Sequence, residues 1–113
     1  MVKKKYIPER GDIVWLDFEP TKGHEQKGVR PAFVVSPRLY NAKTGLALMC
    51  SITSKGKGYS FEVELNFTQT MGVILSDHIR SLDWKARNAR YIETVPPTVT
   101  EEVEAKLAAL IGT

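Results

Sequence analysis

The run LALMCSIT, residues 46–53, constrains the fold more than any other stretch of this chain. It is the most apolar segment, and turn signals bound it: Asn41, Lys43 and Gly45 on one side, SKGKGYS on the other. It is the best candidate for a central strand. A strand this apolar belongs in the middle of a sheet, so the chain must supply others to flank it.

It does so with short runs. DIVWLDF, residues 12–18, sets Val14, Leu16 and Phe18 on one face and Ile13 and Trp15 on the other, so both faces can be covered, as in a small barrel. Pro20 ends it, because proline cannot donate to a ladder. After a loop closed by Pro31, AFVVS, residues 32–36, resumes strand character. Pro37 to Gly45 reads as a turn. FEVEL, residues 61–65, alternates, with Phe61, Val63 and Leu65 inward and Glu62 and Glu64 outward. GVILS (72–76), HIRSL (78–82) and RYIETV (90–95) add three more strands. Then the period changes. Thr98 and Glu101 match a capping box, Val103, Leu107, Leu110 and Ile111 fall on one helical face, and Gly112 suits the stop. The expected fold is mainly β: a small antiparallel barrel or curled sheet with a C-terminal amphipathic helix, in one domain over residues 1–113.

Composition narrows the function. No apolar run approaches the ~20 residues that cross a bilayer, and no apolar segment follows the basic start MVKKKYIPERG, so the expectation is a cytoplasmic protein with no membrane partner. The single Cys50 excludes an internal disulfide and reads as a buried, inert thiol. His24 and His78 are far apart, and HEQKG fails the H-E-x-x-H zinc pattern at Gly28, so no metal and no cofactor are expected. Residues 1–57 hold 11 Lys/Arg against 5 Asp/Glu; residues 58–113 hold 5 against 8. A basic half points to a polyanion partner.

Two loops collect the chemistry. PTKGHEQKGVRP, residues 20–31, is longer than a hairpin needs and offers Lys22, His24, Glu25, Gln26, Lys27 and Arg30. SKGKGYS, residues 54–60, adds Ser54, Lys55 and Lys57 beside Thr53. Arg30 stands next to Pro31 at a strand entrance, where a guanidinium can grip a phosphate with two hydrogen bonds. The alternative is a structural ion pair with Asp17 or Glu25. Lys27 and Lys55 are either phosphate contacts or solvated charges. Gln26 can read a base edge. Asp77 either accepts a hydrogen bond from a base or caps the GVILS turn. Phe61 either stacks on a base or packs in the core.

The segments RGDIVWLDFEPTKGHEQKGVRPAFVVSP, ITSKGKGYSFEVEL, GVILSDHIRSLDWKARN and the final helix resemble, in order and over nearly the whole chain, the MazF/PemK family of toxin endoribonucleases, its MazF branch more closely. The resemblance implies an SH3-like barrel with a C-terminal helix. It also implies a homodimer that cuts single-stranded RNA without a metal, and a cognate MazE-like antitoxin that blocks the RNA site. Carried over by motif, the family's catalytic arginine falls on Arg30, its threonine on Thr53 and the PemK histidine on His24. The PemK aspartate falls on Asp77, but its companion arginine is Leu75 here, which favours Arg30 with Thr53.

The implied chemistry is attack of the ribose 2′-OH on the adjacent phosphorus, leaving a 2′,3′-cyclic phosphate and a 5′-OH. Arg30 would stabilise the transition-state charge, Thr53 would orient a phosphate oxygen, and His24 or Glu25 would move the proton. Two other classes compete: a non-catalytic RNA-binding or regulatory module on the same fold, and a gyrase poison like CcdB. Against the last, the chain ends ALIGT, with no tryptophan near its C-terminus.

Overall fold

Each of these short runs needs a neighbour to satisfy its backbone, and the pairing they find is one curled sheet. The computed structural model describes residues 5–18 and 28–112. Among them, six strands form an antiparallel sheet: β1 (Asp12–Asp17), β2 (Val29–Val34), β3 (Leu46–Thr53), β4 (Glu62–Glu64), β5 (Val73–Asp83) and β6 (Arg90–Thr94). Their order is β4-β5-β3-β2-β1-β6, which sets LALMCSIT third, as its apolar character requires. Two helices complete the fold, α1 (Arg38–Thr44) and α2 (Pro97–Leu110).

Both faces of the sheet are covered. Ile13, Phe33, Cys50, Ile52, Val63 and Ile74 pack with Val99 and Val103 of α2. Val14, Leu16, Ala32, Val34, Ala47 and Met49 pack with Leu82 and Trp84 on the other side. Val14 and Leu16 of β1 thus enter one core and Ile13 the other, as the alternation in DIVWLDF anticipates, but Trp15 on the Ile13 face is left exposed, so that face is covered only at its first position. The curl brings the sheet ends together. Glu93 on β6 accepts the backbone N–H groups of Gln69 (2.9 Å) and Thr70 (2.7 Å), in the segment after β4. Burial alone would raise the Glu93 pKa, but these bonds and one from the Thr70 side chain outweigh it and hold the carboxyl below its ordinary value.

Several expectations are corrected. Residues 38–44 form a helix rather than a turn. RLYNAKT has no helical apolar stripe; α1 is held instead by Asn41, which is fully buried. Asn41 accepts from Ser36 Oγ (2.6 Å) and donates to the carbonyls of Pro8 (2.8 Å) and Ser36 (3.0 Å), and its own carbonyl accepts from Trp84 Nε1 (2.9 Å). Gly45, at φ 75°, ends the helix in the left-handed conformation. β2 begins at Val29, not at Ala32, and GVILS and HIRSL are one bent strand. The Thr98 capping box does not form: α2 starts at Pro97, whose fixed φ is already helical, and no side chain caps it. Its buried residues are Val99 and Val103, with Leu107 packed alongside, while Leu110 and Ile111 are exposed.

Candidate functional site

Two strand ends and one bend build the site. The β2–β3 ladder pairs Val34 with Met49, Phe33 with Cys50 and Ala32 with Ser51, and goes no further. Pro31 accounts for the stop. Val35 donates its N–H to Leu48 (2.8 Å), so in an antiparallel pair residues 33 and 31 also turn their nitrogens toward β3. Pro31 has no N–H to give, and the strands are released from each other there. Two positions past the last rung stand Arg30 and Thr53. Continuing the register sets them opposite each other on the same side of the sheet.

Arg30 is exposed. The Asp17 pairing is not what forms: Asp17 lies 3.4 Å from Arg90 Nη1. Among the described residues no carboxylate stands within ion-pair distance of Arg30. Thr53 is half-buried, and its Oγ1 accepts the N–H of Lys55 (3.2 Å), which leaves the hydroxyl proton for another acceptor. Gly72 presses against the Thr53 backbone. It holds φ at +119°, and a Cβ there would come 2.2 Å from the Thr53 carbonyl oxygen.

Beside Thr53 opens a cleft of about 280 Å3, lined by Thr53, Lys55, Lys57, Tyr59, Phe61, Glu62, Leu75 and His78. Glu62 shapes its rim: the carboxylate accepts the N–H groups of Lys57 (3.0 Å) and Gly58 (3.0 Å). That holds the exposed SKGKGYS loop against β4 and leaves the lysine ammonium groups as the charge facing solvent. Tyr59 and Phe61 stack, with centroids 5.3 Å apart and planes at 19°. Phe61 is half-buried and lines the cleft rather than joining either core.

The far wall comes from the bend in β5. Cys50 pairs with Ile79 and Ile52 with Ile74, so one residue of β3 faces four of β5, Leu75 to His78. The excess leaves the ladder as a bulge. Ser76 Oγ and N–H donate to the Phe61 carbonyl and fasten the bulge to the cleft wall. Asp77 is exposed and does not line the cleft; its Oδ1 lies 3.9 Å from His78 Nε2. Behind the bulge, burial first and Asp77 second push the Cys50 thiol up to about 12, which keeps it neutral and inert.

The structure therefore brings together Thr53, Lys55 and Phe61 around one cleft, leaves Asp77 at its margin, and sets Arg30 near the start of β2, outside the cleft lining. His24, Glu25, Gln26 and Lys27 lie outside the described residues. No group of three or more potential metal ligands occurs among the described residues. His78, Tyr59, Lys57 and Leu75 line the cleft without having been singled out together in the sequence. The signal was there in SDH: a polar interruption between two apolar runs marks a bulge when both runs turn out to be one strand.

The family model described as PemK-like, MazF-like toxin of type II toxin-antitoxin system matches residues 9–111. The chain is 47% identical over 108 residues to the endoribonuclease toxin MazF of Escherichia coli K12, covering 96% of this chain and 97% of that one. Among solved structures, it resembles MazF from Deinococcus radiodurans at 49% identity and a TM-score of 0.85, over 96% of this chain and all of that one. It also resembles the toxin chain of a MazE–MazF structure from the same organism, at 44% identity and a TM-score of 0.86, over 96% and 99% of the two chains.

Proposed function

The chain belongs to the PemK-like, MazF-like toxin family of type II toxin–antitoxin systems, and on that premise we propose that it is an endoribonuclease that cuts single-stranded RNA at short sequences. One observation supports the catalytic assignment: Pro31 ends the β2–β3 ladder, the register continued from Ala32–Ser51 puts Arg30 opposite Thr53, and Thr53 lines a cleft that also bears Lys55 and Lys57. An exposed guanidinium without a described carboxylate partner is available to a phosphate.

In this reading the 2′-OH of one nucleotide attacks its own 3′ phosphorus, the bond to the 5′ oxygen breaks, and a 2′,3′-cyclic phosphate and a 5′-OH result. The nucleophile already sits beside its target, so holding the backbone in line accounts for much of the rate. Arg30 offsets charge gathering on the equatorial oxygens, and Thr53 donates its hydroxyl proton to one of them. His24 or Glu25 takes the 2′-OH proton. Lys55, Gln26 and Lys27 contact the strand on either side. The whole chain acts as one cytoplasmic toxin domain.

A MazE-like antitoxin is the proposed protein partner, supported by the solved MazE–MazF relative. A second copy of the chain is the other; exposed Leu39 and Tyr40 of α1 and Ile79 of β5 offer apolar surface for it. The test is to incubate the purified protein with single-stranded RNA in EDTA and map the ends. Cyclic phosphate and 5′-OH ends that disappear with Arg30→Ala, folded by circular dichroism, are the expected result. Binding without cleavage would overturn it in favour of a non-catalytic RNA-binding module.

A further inference from the structure

A second cavity, of about 490 Å3, shares no lining residue with the Thr53 cleft. Tyr6, Ile7, Ala42 and Ala89 give it apolar walls, with the buried Trp84 among them. Its polar groups are Lys5, Lys85 and Asn88, all exposed. Lys85 Nζ lies 5.6 Å from the centre of the Trp84 ring, so cation–π attraction holds that charge over the aromatic wall. No carboxylate lines the cavity, and among the described residues none stands within ion-pair distance of Lys5 or Lys85. Tyr6 donates its hydroxyl to Asp12, which is buried and also accepts from Thr94 Oγ1 and the Glu9 N–H. Burial first, and the Asp12 bond second, raise the Tyr6 pKa, so its ring adds no negative charge. The volume is that of an ordinary small-ligand pocket, about 300–1,000 Å3. Apolar walls with two cations and an amide suit a ligand with an apolar body and an anionic end.

The turn that walls this cavity, residues 84–89, also holds the end of β1. Asp17 donates its N–H to the Arg87 carbonyl (2.9 Å), and Arg87 Nη1 donates to the carbonyls of Asp17 (3.2 Å) and Phe18 (3.1 Å). The Asn88 carbonyl accepts from Arg90 Nη1 (2.6 Å), which also lies 3.4 Å from Asp17 Oδ1. Past Phe18 the chain enters the segment that carries His24 and Glu25. We propose that this cavity binds a small amphipathic anion, an apolar body ended by a carboxylate or a phosphate, and that its occupancy is transmitted through the 84–89 turn to the end of β1. The connection is a contiguous set of hydrogen bonds, with the ligand on one side of the turn and the strand end on the other. The effect on cleavage rests on the endoribonuclease reading; the binding does not.

The experiment follows the 1H–15N spectrum of the full chain as phenyl phosphate, phenylacetate or the neutral 2-phenylethanol is added to about 20 mM. Both anions should shift the Ile7, Asn88 and Ala89 amides and the Trp84 indole saturably, with Kd of about 1–10 mM, and 2-phenylethanol should bind about tenfold more weakly. A lower midpoint for one anion names the head group and supports the site. Asp17 and Phe18 should shift with the same midpoint as the cavity. Lys85→Ala should weaken both anions about tenfold, and Ala42→Phe, which sets a ring in the cavity, should abolish the response. Equal midpoints for the anions and the alcohol, or a response that Ala42→Phe leaves intact, would overturn the site. So would shifts on dilution alone without a response to either anion, which would put a second copy there. Cavity shifts with Asp17 and Phe18 unmoved would overturn the coupling. Saturating phenyl phosphate should also change the wild-type cleavage rate about fivefold and leave that of Ala42→Phe unchanged. An equal change in both would mean competition at the Thr53 cleft and would overturn the regulatory role. A wild type that cuts no RNA defeats the endoribonuclease reading alone, and the spectra still decide the site and the coupling.

Discussion

Replacing Gly72 with alanine tests the contact that seats Thr53. Two costs add. A non-glycine residue at φ +119° is strained by about 1–3 kcal/mol. The new methyl group would lie 2.2 Å from the Thr53 carbonyl oxygen and 2.9 Å from its carbon, so backbone must move, at about 1–3 kcal/mol for overpacking. The expected loss is about 2–6 kcal/mol, a large part of the ~5–15 kcal/mol that holds a domain together. Gly45→Ala is the matched control. Its φ is 75° with nothing within 4 Å of an added Cβ, so it should lose only about 1–2 kcal/mol. Urea unfolding followed by circular dichroism reads both. With a slope of about 2 kcal/mol per molar, a 3 kcal/mol loss moves the midpoint by about 1.5 M. Where the variant remains folded, cleavage should fall about a hundredfold for a Thr53 displaced by about 1 Å. A Gly72→Ala midpoint equal to that of Gly45→Ala, with wild-type cleavage, would refute the argument.

Three further outcomes are expected. Arg30→Ala should lower the cleavage rate about 10²–10³-fold with an unchanged unfolding midpoint, since Arg30 is exposed and has no described carboxylate partner. Asn41→Ala should cost about 2–4 kcal/mol in urea unfolding, because it orphans a buried hydroxyl and two carbonyls at once. Cys50 should resist alkylation at about pH 8 until the protein is unfolded. Its raised value means the folded state keeps a proton that the unfolded state loses. That contribution is complete below the ordinary value of 9.0 and is lost as pH rises toward about 12. The alkaline fall in stability should accordingly be shallower in Cys50→Ala than in the wild type.

Local pattern decided a good deal. LALMCSIT is β3 residue for residue, RYIET is β6, and DIVWLD is β1, with Val14 and Leu16 in one core and Ile13 in the other while Trp15 stays exposed. Those readings depend on side-chain period and chain punctuation, which are properties of consecutive residues. The strand-end positions of Arg30 and Thr53 were legible for a similar reason, marked by Pro31 on one side and the glycine-rich basic loop on the other, while the roles proposed for them come from the family resemblance. Tertiary structure decided the rest. α1 exists because Asn41 finds Pro8, Ser36 and Trp84, partners up to 43 residues away that no local period announces. The bulge in β5 exists because β3 has one residue where β5 has four, a mismatch visible only once the two strands are paired. His78 thereby passes from an isolated histidine in the sequence to one wall of the cleft. The first loop's charges were counted from the sequence alone; that Arg30 pairs across from Leu16, on the face opposite Asp17, while Arg90 shares the Asp17 face and reaches it, required the strands to be in register.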